Sequence, residues 1–171
     1  MPQLNYSYQP PIGVPGSLYD LSPYAINSRS NGETAPGALK YGMGVVLGDT
    51  PGKNVNLPTD ASTLAEFEGV AMTGFTDQMD MAGEVIILPQ RTVGVLRWGR
   101  AWVRIEEGVV DIAYGDPVYL VIDGADAGLF TNDDGGGDNL AINAMFIGGL
   151  GTTSVAPVEL YNQKNEAAAT P

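Results

Sequence analysis

From about residue 43 onward the chain alternates short apolar runs with turn-forming residues. The runs at 43–47, 54–57, 68–73, 84–88, 92–106, 117–123, 128–131, 140–147 and 155–161 read as strands. Breakers separate them, among them Gly48-Asp49-Thr50-Pro51-Gly52, Asp123-Gly124, Asp134-Gly135-Gly136-Gly137 and Gly148-Gly149. Helical periodicity is confined to one predicted turn at 62–67, with Asp60 as its cap. Many short strands at close spacing predict an all-β fold, either a compact β-barrel or a jelly-roll-like sandwich. The chain carries no internal repeat.

Residues 1–40 follow a different pattern. Six of the twelve prolines lie there, together with Tyr6, Tyr8, Tyr19 and Tyr24. Proline at this density opposes helix and central strand, so the segment is expected to be an extended arm. Disordered segments are poor in aromatics, whereas this one is rich in them. The arm is therefore expected to order by laying its tyrosines on a neighbouring subunit, the competing reading being a floppy tail. The division expected is an arm at 1–40, a β domain at 41–162 and a flexible tail at 163–171.

Composition narrows the chemistry. The 171 residues suit a single domain. Cysteine and histidine are both absent, which excludes disulfides, Cys/His zinc sites, thiol nucleophiles and every Ser-His or Cys-His dyad. No cofactor or metal is expected, and any metal would have to be calcium or magnesium on carboxylates and carbonyls. The net charge of -12 predicts no nucleic-acid partner and no anionic membrane. The start of the chain has neither a basic nor an apolar segment of the secretory kind, and no apolar run approaches the length of a membrane span, so synthesis in a cytoplasm is expected. Only 16% of residues are charged, below the roughly 25% of an average domain, which predicts surface buried against partner chains.

The most specific local signal is the run Val95 to Glu106. Read with period two, one face presents Val95, Arg97, Gly99, Ala101, Val103 and Ile105, and the other Leu96, Trp98, Arg100, Trp102, Arg104 and Glu106. The first face suits a core. The second alternates two tryptophans with two arginines, and half of the eight basic residues fall within 91–104. A protein interface built on Trp98, Arg100, Trp102 and Arg104 is the expected use, since Trp and Arg dominate interface hot spots. The alternatives are partial burial of both tryptophans with the arginines paired to carboxylates, and stacking of sugars or single strands on the indoles. A bulge at Gly99 would slip the register and swap the faces.

The acidic stretches 123–126 and 133–138 raise a calcium reading, but their spacing fits no EF-hand and solvated hairpin tips account for the same residues. Glu106 and Glu107, adjacent on a strand, point to opposite faces and make a poor acid/base pair. No pair of carboxylates stands out for a glycosidase, so no enzyme activity is expected.

In order along the chain stand Gly13-Val14-Pro15-Gly16 before Asp20, Ile26-Asn27-Ser28 before Glu33, Tyr41-Gly42 before Gly44-Val45-Val46, then Leu57-Pro58 and Phe67-Glu68-Gly69-Val70. Gly99-Arg100-Ala101-Trp102-Val103, Glu106-Glu107, Gly115-Asp116-Pro117-Val118-Tyr119 and Val158-Glu159-Leu160 complete the series. Over roughly residues 10–162 this order and spacing resembles the structural cement proteins that decorate tailed-bacteriophage heads built from an HK97-type major capsid protein. Trp98, the acidic stretch 123–138 and the residues after Tyr161 depart from the pattern. The resemblance implies a non-enzymatic capsid stabiliser on the outer surface of the virion. Its partner would be the phage major capsid protein, and the chain would be a homo-oligomer, a trimer in preference to a dimer. The alternative from the residues alone is a carbohydrate-binding β-sandwich module that uses exposed tryptophans.

Overall fold

The computed structural model describes residues 12–74, 78–79, 85–151 and 154–161. It is all-β. The strands are β1 (Ala25–Asn31), β2 (Gly44–Leu47), β3 (Asn54–Asn56), β4 (Phe67–Met72), β5 (Gln78–Met79), β6 (Val85–Ile86), β7 (Thr92–Arg104), β8 (Pro117–Leu120), β9 (Phe130–Thr131), β10 (Leu140–Phe146) and β11 (Val155–Leu160). The expected runs each hold a strand, usually trimmed by a residue or more at its ends. The predicted helical turn is a short 3-10 turn, Leu64–Glu66, and Thr63 rather than Asp60 stands at its start. There the Thr63 N–H and hydroxyl donate to the Glu66 carboxylate at 2.8 and 3.0 Å, which fixes the turn better than a more distant aspartate can.

Nine strands form one sheet in the order β1-β3-β2-β4-β7-β11-β10-β8-β9, and β1 pairs with β7 as well as with β3. The second pairing closes β1, β3, β2, β4 and the first half of β7 into a barrel. The second half of β7 carries β11, β10, β8 and β9, and the last of these curls back so that Phe130 bridges to Ile105. Of the two expected architectures it is the barrel that forms, because β1 offers each of its edges a partner and leaves neither open. β1 lies inside the stretch 1–40. The sequence reading places no strand there, yet Arg29 and Asn31 tie it into the barrel: Arg29 pairs with Glu68 of β4, and the buried Asn31 side chain donates to the carbonyls of Ile87 and Leu88.

β7 belongs to both halves, and its alternation changes phase midway. Val93 and Val95 pack with Leu39, Val45, Val55 and Ala71 inside the closed barrel. Leu96 points the other way, into a second cluster with Val70, Phe130 and Phe146. Ala101, Val103 and Ile105 join that second cluster although their parity is opposite to that of Leu96. A one-residue slip is therefore required between them. It occurs at Arg97, which is the extra residue where Ala25 pairs with Trp98 but Ile26 pairs with Leu96. Gly99 follows with φ of 123°, a backbone that favours glycine, and a side chain there would run into Tyr24. The faces thus swap near Gly99, but the extra residue is two positions earlier. β4, caught between the two clusters, is buried along its whole length.

Candidate functional site: an aromatic groove beside a clamped arm

Past the bulge, the side of β7 facing away from the core presents Trp98, Arg100, Trp102 and Arg104. Antiparallel pairing sets Glu159 of β11 opposite Arg100 and Pro157 opposite Trp102. Residues 12–24 lie along the same half of β7. The Gly16 N–H donates to the Trp102 carbonyl at 2.8 Å, the Trp102 N–H to Ser17 at 2.9 Å, and the Tyr19 N–H to Arg100 at 3.0 Å. The segment thus adds a short strand-like edge, with Leu18 opposite Ala101.

The four strip residues meet different fates. Trp102 is 8% exposed, covered by its own chain. Gly13 lies so close to the indole that any side chain on it would overlap the ring, and the Tyr19 ring lies 5.6 Å from that of Trp102 at a 47° tilt. Arg104 donates from Nε to the Tyr41 carbonyl at 2.9 Å, which fastens the start of the barrel. Arg100 bridges the segment to the sheet, with Nη1 2.9 Å from Asp20 and Nε 3.3 Å from Glu159. Asp20 first, and then Glu159, raise the guanidinium pKa further above its ordinary value. The Asp20 carboxyl is held below its usual value by the Ser22 N–H, which donates to it, and by Arg100. Trp98 alone of the four remains a large open apolar surface, 40% exposed.

Trp98 forms part of the wall of a groove of about 710 Å³, with Ser22, Pro23, Arg97 and Tyr161 among the other lining residues. Tyr24, which the sequence singles out, stands on Gly99 and is half exposed, and Leu21 on the loop beside the groove is 94% exposed. Tyr161 is 39% exposed; its partial burial raises the phenol pKa, and Glu159 adds to the effect. Arg97 lines the groove as a cation with no ion pair among the described residues. The site can thus take an extended or bulky apolar group next to a hydrogen-bond acceptor or an anion. Tyr6 and Tyr8, also expected to make contacts, lie outside the described residues.

The sequence reading did not assign Leu21, Arg97 or Tyr161 to this site. Arg97 sat on the face reserved for the core, and only the bulge moves it out. Tyr161 lines the groove from a strand end and Leu21 stands on the loop beside it, and no local pattern encodes either place. The acidic stretches hold their own turns: Asp123 and Asp134 accept from the N–H groups of Gly124 and Gly136, and Asp133 from that of Gly135. Among the described residues no group of three or more carboxylates is placed to share an ion.

The sequence model for the structural cement protein family, typified by E217 gp24 and Pam3 gp6, matches residues 1–161. A chain of the solved structure "The capsid of Myoviridae Phage XM1" has a similar fold, with a TM-score of 0.64 at 20% identity over 91% of this chain and 94% of that one. No individually curated protein matches the chain. With a family model spanning the arm, the strip and the last strand, the chain belongs to the structural cement proteins of bacteriophages, a structural and not an enzymatic family.

Proposed function

We propose that this protein decorates the outer surface of a phage head and stabilises the shell by bridging subunits of the major capsid protein. Family membership supports the role, and the observation that carries the contact is the open groove at Trp98, which exposed Trp98 and Tyr161 line and beside which exposed Leu21 and Tyr24 stand. Exposed aromatic clusters of this kind mark binding sites. Cementing is then linkage: a protein that binds the assembled shell better than free subunits shifts the equilibrium towards the shell. Copies arranged as homo-oligomers, trimers or dimers, at symmetry positions multiply a modest contact by avidity. The protein would be made in the host cytoplasm and added to the head, with its acidic remainder facing solvent and keeping decorated particles apart.

The test is co-sedimentation of the purified chain with undecorated heads, followed by heating with and without it. Saturable binding at a copy number set by capsid symmetry, with a raised rupture temperature, is the expected result. A chain left in the supernatant overturns the proposal. A second reading, carbohydrate binding, draws on the same exposed indole, since sugars stack on open tryptophan faces. It has Trp98 alone to work with, because Trp102 is covered, and a glycan array without hits removes it.

A further inference from the structure

We infer that the groove beside Trp98 receives residues 1–11 of a second copy of this chain. It rests on the homo-oligomer in the proposed function: two copies joined here would present the filled groove to the shell as one joint surface.

The chemistry of groove and segment agrees. The walls offer two half-open aromatic rings, Trp98 and Tyr161, and Pro23 and Arg97 line the same groove. Residues 1–11 read Met-Pro-Gln-Leu-Asn-Tyr-Ser-Tyr-Gln-Pro-Pro, with no charged side chain in a protein of net charge -12. Aromatic-lined grooves capture proline-rich extended segments because such segments lose little conformational freedom on docking. Tyr6 and Tyr8 add apolar area, and their hydroxyls can accept from Arg97.

Topology indicates that the segment comes from another copy. Gly13 sits on Trp102, and the chain from there runs towards the groove, reaching Tyr24 at Gly99. Ile12 is therefore at the end remote from Trp98, roughly 13 Å away along four residues of strand. To enter its own groove the preceding segment would have to reverse at once and run back past residues 12–24, which already occupy that half of β7 through the bonds of Gly16, Ser17 and Tyr19 to Trp102 and Arg100. Eleven residues span up to about 38 Å when extended, enough to cross to a neighbour. A contact of this head-to-tail kind closes into a ring where the rotation between copies allows.

The absence of cysteine makes the test direct. Two full-length chains with different tags are mixed, one carrying Ser7→Cys and the other Ser22→Cys on the groove wall. A disulfide joining the two tags is expected, at a yield about tenfold above that of a control pair with Thr50→Cys on a remote exposed turn. Adding Trp98→Ala to the Ser22→Cys chain is expected to cut that yield about tenfold with the melting temperature unchanged, as for loss of one aromatic anchor. A mixed yield no higher than the control, or one indifferent to Trp98→Ala, overturns the inference. So does a chain carrying both cysteines that closes an internal disulfide on dilution and gives no mixed product, since the segment then lies in its own groove. All arms use the free protein, so failure to bind heads and failure of this exchange are separate results.

Discussion

Tyr19 and Trp102 place their ring centroids 5.6 Å apart, although 83 residues of sequence separate them, and their contact seals the N-terminal segment onto the sheet. Trp98, four residues before Trp102 on the same side of the strand, has no such cover. The two tryptophans therefore divide the work. Trp102→Ala is expected to cost about 3–5 kcal/mol, the range for removing a large buried aromatic. Trp98→Ala is expected to stay within about 0.5 kcal/mol of the parent protein, as exposed positions do, while weakening head binding. Thermal unfolding and head co-sedimentation of both variants read the two effects separately.

Gly13 is the other half of that seal. An alanine methyl there would overlap the Trp102 indole, so either the segment lifts or the ring turns. Gly13→Ala is expected to lower stability by about 1–3 kcal/mol and to open residues 12–24 to limited proteolysis while the barrel stays resistant. Uniform cleavage of the whole chain would show that the segment and barrel open together.

The pair Arg29–Glu68 bridges β1 and β4 in a nearly buried position, Glu68 being 5% exposed. Removing one partner leaves the other charge uncompensated. Arg29→Ala or Glu68→Ala is expected to cost about 3–5 kcal/mol, whereas Arg29→Met with Glu68→Leu is expected to fall near the parent value. Denaturant unfolding of the two single variants and the double variant measures the difference.

Asp20 gives the clamp an acid limit. Its carboxyl is held below the ordinary value of 3.8 by the Ser22 N–H and then by Arg100. A depressed pKa contributes stability that is present above the unfolded value and lost as pH falls through the folded one. Proteolytic protection of residues 12–24 is therefore expected to hold from neutral pH down to about 3.8 and to fall only below it. Asp20→Asn is expected to weaken protection already at neutral pH and to remove the acid-dependent step. An identical acid profile in the variant would assign the transition to other carboxylates.

Much of the strand content was legible because alternation and turn residues act locally. Gly48 to Gly52 and Asp134 to Gly137 interrupt the ladder wherever they stand, and the runs between them have little choice but to pair. β1 escaped notice because Ala-Ile-Asn-Ser-Arg-Ser-Asn carries too few apolar residues to announce a strand, and its ordering comes from β7, β3 and Glu68. The strip on β7 was legible as a strip. Which of its members stays open was not, because cover arrives from residues some 80 positions earlier in the chain.

The sequence by itself determined the all-β class, the family, the position of most strands and the Trp/Arg face of β7, since each rests on spacing within a few residues or on motifs in a fixed order. Only the tertiary structure decided that β1 closes the barrel, that a bulge at Arg97 changes the phase of the long strand, that Trp102 is sealed beneath Gly13 and Tyr19, and that Trp98 and Tyr161 share a groove. The reason is physical: these outcomes depend on contacts between distant segments, and a side chain's neighbours across a sheet are set by register and closure and not by its own place in the chain.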